Sequence, residues 1–81
     1  MGEIMKEVIE YIVKSLVEDK EAVKVSIEEN EENQMIVHVN VAEADMGRVI
    51  GRSGKVAGSI RTIAKSISGR DHRKVFVKFG E

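Results

Sequence analysis

The fold of this chain is decided by a segment near its middle, Val49-Ile50-Gly51-Arg52-Ser53-Gly54. Two apolar residues lead into two glycines that enclose a cation and a hydroxyl, and Lys55 follows them. Because glycine has no Cβ, the backbone of another molecule can come close to such a segment. A helix that begins after the second glycine would add the partial positive charge of its first N–H groups. The segment therefore predicts a loop that holds a phosphate group.

The residues before the loop predict one helix, two strands and a short helix. Apolar residues at three- and four-residue spacing predict the first helix over residues 3–18. Alternation of apolar and polar residues over 23–28 and 35–41 predicts a hairpin of two half-buried strands. A short helix is expected from near residues 43–45 to Ile50, where Gly51 ends it.

The residues after the loop predict one long helix and one strand. Val56, Ile60, Ile63 and Ile67 are spaced by four, three and four residues, and this helix is expected to end near Ser68 and Gly69. Residues 73–79 alternate and predict a third strand. Gly58 inside the helix costs about 1 kcal/mol relative to alanine. It either allows close backbone approach or only loosens the helix.

The first helix is unusually apolar around its circumference. Its apolar residues cover roughly 240°, whereas contact with one core needs a stripe of about 100°. Two interpretations remain open at this point: an interface for another protein, or a helix enclosed on two sides within its own domain. The apolar residues are Ile4, Met5, Val8, Ile9, Tyr11, Ile12, Val13, Leu16 and Val17.

Length and composition indicate one small domain over residues 1–81. The chain has no Cys, so it has no disulfide, thiolate metal site or thiol nucleophile. No apolar run approaches the roughly 18 residues of a membrane-spanning helix. These features predict a soluble, cytoplasmic protein that does not associate with a membrane.

Charge is divided unequally along the chain. Residues 1–45 hold 4 Lys and Arg against 12 Asp and Glu, whereas residues 46–81 hold 9 against 2. The basic half indicates an anionic partner, because cationic side chains bind phosphates by releasing condensed counterions. The alternative interpretation is a solvated surface whose two signs attract each other within the fold.

The sequence does not match the motifs that would indicate catalysis or a bound cofactor. A nucleotide-binding P-loop would need glycine at Val49 and a hydroxyl residue at Val56, and a dinucleotide fingerprint would also need glycine at Val49. His38 and His72 are isolated in the sequence and have no Cys beside them. The sequence therefore predicts no enzyme, no cofactor, no metal and no small-molecule substrate.

The order of elements around the Gly-x-x-Gly loop resembles the KH domain in its type II arrangement. This resemblance implies an α+β fold of order α-β-β-α-α-β, with a three-stranded mixed sheet and the helices packed on one face. Two stretches are similar to the small single-KH bacterial RNA-binding family KhpA. They are Asp45-Met46-Gly47-Arg48-Val49-Ile50-Gly51 and Ile60-Arg61-Thr62-Ile63.

The resemblance implies a groove for about four unpaired nucleotides, with the loop clamping their backbone. Gly51 and Gly54 would admit the sugar-phosphate chain, while Arg52, Ser53 and Lys55 would contact phosphate. Further phosphate contacts are expected from Arg48, Arg61 and Lys65. An apolar floor for the bases is expected from Val49 and Ile50, with Val56 and Ile60 as further members.

Simpler interpretations of these residues stay open. The glycines can serve a tight turn, Ser53 can cap a helix, and Ile50, Val56 and Ile60 can belong to the core. Single-stranded DNA is an alternative to RNA, because no residue visibly selects for a 2′-hydroxyl.

The resemblance also implies partners and a cellular role. A second KH-containing protein or self-association is expected, as is a part in post-transcriptional regulation or RNA chaperoning. The rival hypothesis is a protein-interaction module with a weak or vestigial groove.

Overall fold

The computed structural model describes residues 2–68 and 74–80 and contains three helices and three strands within them. The predicted α-β-β-α-α-β order is confirmed. The predictions for Gly69, His72 and Arg73 lie outside the described residues. The elements are α1 (Gly2–Leu16), β1 (Lys24–Glu29), β2 (Gln34–Asn40), α2 (Met46–Ile50), α3 (Lys55–Ser68) and β3 (Lys74–Phe79).

The three strands form a mixed sheet in the order β1-β2-β3. The hairpin pairs β1 with β2 in antiparallel fashion, so that Ile27 lies opposite Val37. The chain then crosses over through α2 and α3, and β3 pairs with β2 in parallel, with Val77 opposite Val37. The N–H of Gly80 donates to the carbonyl of Val39 at 2.8 Å and extends this pairing beyond β3. The third strand therefore lies at one edge of the sheet.

All three helices pack on one face of the sheet, as predicted. From β2 and β3 the core receives Met35, Val37, Val39, Val75 and Val77, and α1 adds three residues spaced by four. The other face carries the alternate residues of each strand and is open. The helical residues of the core are Met5, Ile9, Val13, Val49, Ile60 and Ala64.

The first helix ends two residues earlier than predicted because its following N–H groups have a different partner. The N–H of Val17 still donates to the carbonyl of Val13 at 3.2 Å. The next two N–H groups, of Glu18 and Asp19, donate to the side chain of Asp45 instead. This contact joins the end of α1 to the start of α2, 26 or 27 residues away in sequence.

Part of the apolar surface of α1 faces solvent and not the core. Ile4 is 59% exposed and Tyr11 is 75% exposed, so α1 is not enclosed on two sides by the described parts of the chain. Among the helices of residues 2–68, none is both long and apolar enough to cross a bilayer.

Candidate nucleic-acid interface

The short helix α2, which leads into the loop, is held at its start by Asp45. The buried carboxylate of Asp45 accepts hydrogen bonds from the N–H of Glu18 at 3.2 Å and of Asp19 at 3.1 Å. Arg48, the third residue of α2, places its Nε 3.6 Å from Asp45 Oδ1 and its Nη2 3.0 Å from Glu18 Oε1. These contacts fix the direction in which α2 delivers the chain to Gly51.

Hydrogen bonding also lowers the pKa of Asp45. The N–H groups of Asp19 and then Glu18 favour the charged carboxylate, and the nearby charges of Arg48 and Lys20 act in the same direction against the opposing effect of burial. A lowered pKa in the folded state stabilises the fold at pH values above the ordinary aspartate pKa. That contribution is lost as the pH falls through the lowered pKa.

We expect Asp45→Asn to lower the Tm at neutral pH by several degrees. The amide offers one acceptor oxygen to two N–H donors, so one donor faces an NH2 group. Urea unfolding of both proteins from neutral to acidic pH checks this. The difference in their stability should narrow as the wild-type carboxylate becomes protonated, and curves that stay parallel down to strongly acidic pH would contradict the role given to the charge.

The first glycine of the loop is required by the chain's own packing. The N–H of Gly51 donates to the carbonyl of Gly47 at 2.9 Å and ends α2. Gly51 has φ 76° and ψ 174°, a region that is essentially restricted to glycine. A Cβ on Gly51 would lie 2.4 Å from Val56 Cγ2 and 2.9 Å from the Val56 backbone nitrogen. The space beside Gly51 is therefore filled by the start of α3.

The second half of the loop is open on its outer side. Ser53 has φ 57° and ψ 27°, and Gly54 has φ 74°, so two left-handed residues follow one another. The N–H of Gly54 donates to the carbonyl of Gly51 at 3.2 Å and closes the turn. A Cβ on Gly54 would meet nothing within 4 Å. In the direction of a Cβ, there is therefore open space at Gly54 and none at Gly51.

The polar side chains of the loop point to solvent. Arg52, Ser53 and Lys55 are all exposed. Across residues 2–68 and 74–80, no acidic side chain pairs with Arg52 or Lys55, and the Ser53 hydroxyl makes no hydrogen bond. The alternative interpretation of Ser53 as a helix cap thus has no hydrogen bond in the described chain to support it.

The cations that follow the loop lie on one face of α3. At 100° per residue, Lys55, Gly58, Arg61, Thr62 and Lys65 fall within about 120° of the circumference. A Cβ at Gly58 would meet nothing within 4 Å, so the helix backbone is uncovered between Lys55 and Arg61.

Arg61 connects this face to the edge of the sheet. Its Nε donates to the carbonyl of Val77 at 3.4 Å, and its guanidinium carbon lies 5.4 Å from the centre of the Phe79 ring. We call the loop 51–54 together with Lys55, Gly58 and Arg61 the clamp.

A groove runs between α3 and β3 beyond the clamp. It has a volume of about 740 Å³ and is lined by Arg61, Lys65 and Ser68 of α3 and by residues 74–78 of β3. We call it the edge groove. Lys74 and Lys78 line it and were not among the predicted site residues. Their alternation along a strand was visible in the sequence, but their position beside Lys65 depends on how α3 packs against β3.

The predicted site residues are not all brought together. Val49 is fully buried, and so is Ile60, because both pack into the core below the loop. They support the interface from beneath and offer no surface to a base. Ile50, which is 37% exposed, and half-buried Val56 are the apolar residues that reach the surface near the loop.

Arg48 also differs from the other predicted cations. Its guanidinium is engaged with Glu18 and Asp45, as described above, whereas Lys65 has no ion-pair partner among the residues described. The structure therefore gives Arg48 a part in holding α2.

A metal site is not found in the described part of the chain. No group of three or more His, Asp or Glu side chains is close enough there to hold an ion. His38 lies on the open face of the sheet, with its Nε2 3.1 Å from Glu28 Oε1.

Comparison with known proteins agrees with this arrangement. The family model described as "KhpA/KhpB, KH domain" matches residues 6–79. The chain belongs to the KhpA/KhpB KH-domain family. This confirms the resemblance in the sequence, and because the family is not one of enzymes, it also confirms the prediction of a non-catalytic protein.

Relatives of this KhpA/KhpB domain cover nearly its whole length. The RNA-binding protein KhpA of Clostridium perfringens is 42% identical over 74 residues, which are 91% of this chain and 97% of that protein. The RNA-binding protein KhpA of Chlamydia trachomatis is 39% identical over 77 residues, 95% of this chain and 97% of that protein.

Solved structures with the same fold come from a larger protein. Era from Aquifex aeolicus bound to GDP·AlF4⁻ matches 96% of this KhpA/KhpB domain and 30% of the Era chain, with a TM-score of 0.58 and 17% identity. Era in complex with nucleotides 1506–1542 of 16S ribosomal RNA matches with a TM-score of 0.53 and 19% identity over 98% of this chain and 31% of that one. At this identity the likeness shows the fold alone.

Proposed function

We propose that this protein binds single-stranded RNA, with the loop at residues 51–54 clamping the phosphate backbone. The observation that carries the proposal is the geometry of the loop. Two left-handed residues leave Gly54 uncovered, and Arg52 and Lys55, which have no ion-pair partner among the described residues, stand on either side. The names of the relatives, RNA-binding protein KhpA, support RNA as the ligand.

In this proposal the backbone of about four nucleotides passes over Gly54 and along the basic face of α3. Arg52 and Lys55 donate charge-assisted hydrogen bonds to phosphate oxygens, and Ser53 adds a neutral donor. The uncovered backbone at Gly58 lets the strand lie close to the helix until it reaches Arg61. Ile50 and Val56 supply limited apolar contact for the bases. Post-transcriptional regulation or RNA chaperoning is the cellular role that we assign to such binding.

The salt dependence of RNA binding tests the phosphate clamp. With three phosphate contacts from Arg52, Lys55 and Arg61, the logarithm of the association constant should fall with the logarithm of the salt concentration with a slope of about −2. Fluorescence anisotropy of a labelled tetranucleotide measures this slope. Lys55→Ala should reduce its magnitude by about 0.7. A flat salt dependence would show that phosphate contacts do not drive binding.

We also propose that α1 supports self-association or pairing with a second KH-containing protein. The observation that favours this is the outward apolar surface of α1, where Ile4 and Tyr11 are 59% and 75% exposed. Burying such side chains against a partner is favourable because it removes apolar area from water. Sedimentation at several concentrations should show a dimer that Tyr11→Glu dissociates. A wild-type monomer at every concentration would remove self-association from the proposal.

A further inference from the structure

The open face of the sheet carries an aromatic side chain that the core does not use. Phe76 lies on edge strand β3, faces away from the helices and is 45% exposed. Ile36 lies directly opposite Phe76 in the register between β2 and β3. Lys74 and Lys78, two residues before and after Phe76, project on the same side because side chains alternate along a strand. An exposed ring therefore stands between two cations.

This aromatic surface is continuous with the edge groove. A shallow depression of about 330 Å³ on the open face is lined by Gln34, Ile36, Phe76 and Lys78. Phe76 and Lys78 also line the edge groove on the other side of β3. No further strand covers this edge within residues 2–68 and 74–80. A chain leaving the edge groove can pass round β3 and reach the ring without crossing the core.

Distance also fits a single bound strand. Arg61 of the clamp contacts Phe79, which is three residues from Phe76 along β3. At about 3.3 Å per residue, the two positions are separated by roughly 10 Å along the strand, and their rings lie on opposite faces of it, so the bound chain must also pass round the edge of β3. A few nucleotides beyond those in the clamp are enough to reach Phe76.

The charges on this face favour a polyanion over a second copy of the protein. Lys74 and Lys78 have no ion-pair partner among the described residues. Glu28, an acid on the same face, lies across the sheet on β1 and contacts His38 at 3.1 Å. Two copies packed through this face would bring lysines together around the aromatic rings. Nucleic acid instead supplies phosphates for the lysines and a flat base for the ring.

We propose that this face is a second binding site for single-stranded nucleic acid, in which a base beyond the clamp stacks on Phe76 while Lys74 and Lys78 contact the flanking phosphates. The site rests on the proposed function, because the clamp anchors the strand. It lengthens the bound segment from about four nucleotides to six or more. Its base contact is stacking, which tolerates any base.

Oligonucleotide length separates this site from the clamp. We would measure the affinities of labelled oligoadenylates and oligouridylates of four and eight nucleotides by fluorescence anisotropy. Phe76→Ala should weaken octamer binding by about 5- to 100-fold and tetramer binding by less than about 2-fold, since one stacked base contributes on this scale. Ile63→Ala is the matched control, because it removes a partly exposed apolar side chain of α3 that belongs neither to the clamp nor to the edge groove. It should leave both affinities at the wild-type value.

A tryptophan at position 76 reports on stacking directly. The chain contains no Trp, so Phe76→Trp introduces a single indole whose fluorescence a stacked base quenches. The octamer should quench it and the tetramer should not. Because the ring is about half exposed, both Phe76 variants should keep the wild-type circular dichroism spectrum and nearly the wild-type Tm.

Two results would overturn the second site while leaving the clamp intact. One is an octamer that binds no more tightly than the tetramer, and the other is Phe76→Ala with wild-type octamer affinity. A change in sedimentation of Phe76→Ala without loss of octamer affinity would assign the face to a protein partner instead. Failure of the tetramer itself to bind would overturn the clamp and, with it, this extension.

Discussion

Replacing Arg52 and Ser53 together with aspartate is expected to lower the affinity for single-stranded RNA by about 100-fold or more while the domain stays folded. Loss of a charge-assisted hydrogen bond alone costs about 10- to 100-fold in affinity, and two new negative charges then face the phosphates. Both side chains are exposed, so the core is untouched. Aspartate also tolerates the left-handed backbone that Ser53 adopts, with φ 57°.

The chain offers a control with the same change in net charge. Lys6→Asp with Ser15→Asp also lowers the net charge by three, but it does so on exposed positions of α1. Anisotropy with a labelled tetranucleotide should show near wild-type affinity for this control. Wild-type affinity in the folded Arg52→Asp, Ser53→Asp variant would disprove the clamp. Equal losses of affinity in both variants would show that the lower net charge, and not the position of the two aspartates, weakens binding.

Gly51→Ala should produce the largest loss of stability of any single methyl addition in the loop. Gly51 combines a positive φ with an extended ψ, and this backbone conformation lowers the stability by about 1–3 kcal/mol for any residue with a Cβ. The added carbon would also press on Val56, whose backbone nitrogen lies 2.9 Å away and cannot rotate aside. With overpacking of about 1–3 kcal/mol, we expect a total loss of about 2–6 kcal/mol. Domains of this size have only about 4–12 kcal/mol of total stability.

Urea unfolding of three glycine variants checks this assignment, since each variant adds one methyl group. Gly54→Ala is strained by its φ of 74° but meets no neighbour, so it should lose about 1 kcal/mol. Gly58→Ala lies in a helix with open space around the new Cβ and should gain about 0.5–1 kcal/mol. A loss below about 1 kcal/mol for Gly51→Ala would show that α3 moves away from the loop at little cost.

The elements of the fold were predictable because their signals are local. Spacing of apolar residues predicted α1 and α3, and alternation predicted all three strands to within about two residues. The mixed sheet with the helices packed on one of its faces came with the resemblance to KH domains. These features follow from an order of elements that the sequence displays directly.

The parts that escaped prediction depend on contacts between distant residues. Val49 and Ile50 are neighbours of equal hydrophobicity, yet one is fully buried and the other is 37% exposed, because only the turn of α2 decides which faces the core. In the sequence Arg48 is one of several cations, and its ion pairs with Asp45 and Glu18 depend on the tertiary structure. In the sequence Phe76 is one residue of the predicted third strand, and its place beside the edge groove depends on the packing of α3 on β3.

The two roles of the loop glycines were also invisible in the sequence. Both were predicted to admit a ligand backbone. The structure shows that the room beside Gly51 is occupied by Val56, and that the room beside Gly54 is empty. The sequence shows two glycines but does not show which of them has another part of the chain packed against it.

The unequal division of charge has a consequence for how the molecule meets its ligand. The acidic residues of positions 1–45 lie on α1, β1 and the connecting segments, whereas the loop, α3 and β3 carry cations and no acidic residue within their described parts. The net charge is only −1, but residues 1–45 carry −8 and residues 46–81 carry +7. For the RNA ligand that we propose, the field of the polyanion would act on this charge distribution before contact and turn the basic side of the protein toward the RNA. The protein would then be oriented before contact, and a larger fraction of its collisions with the ligand would occur through the basic side.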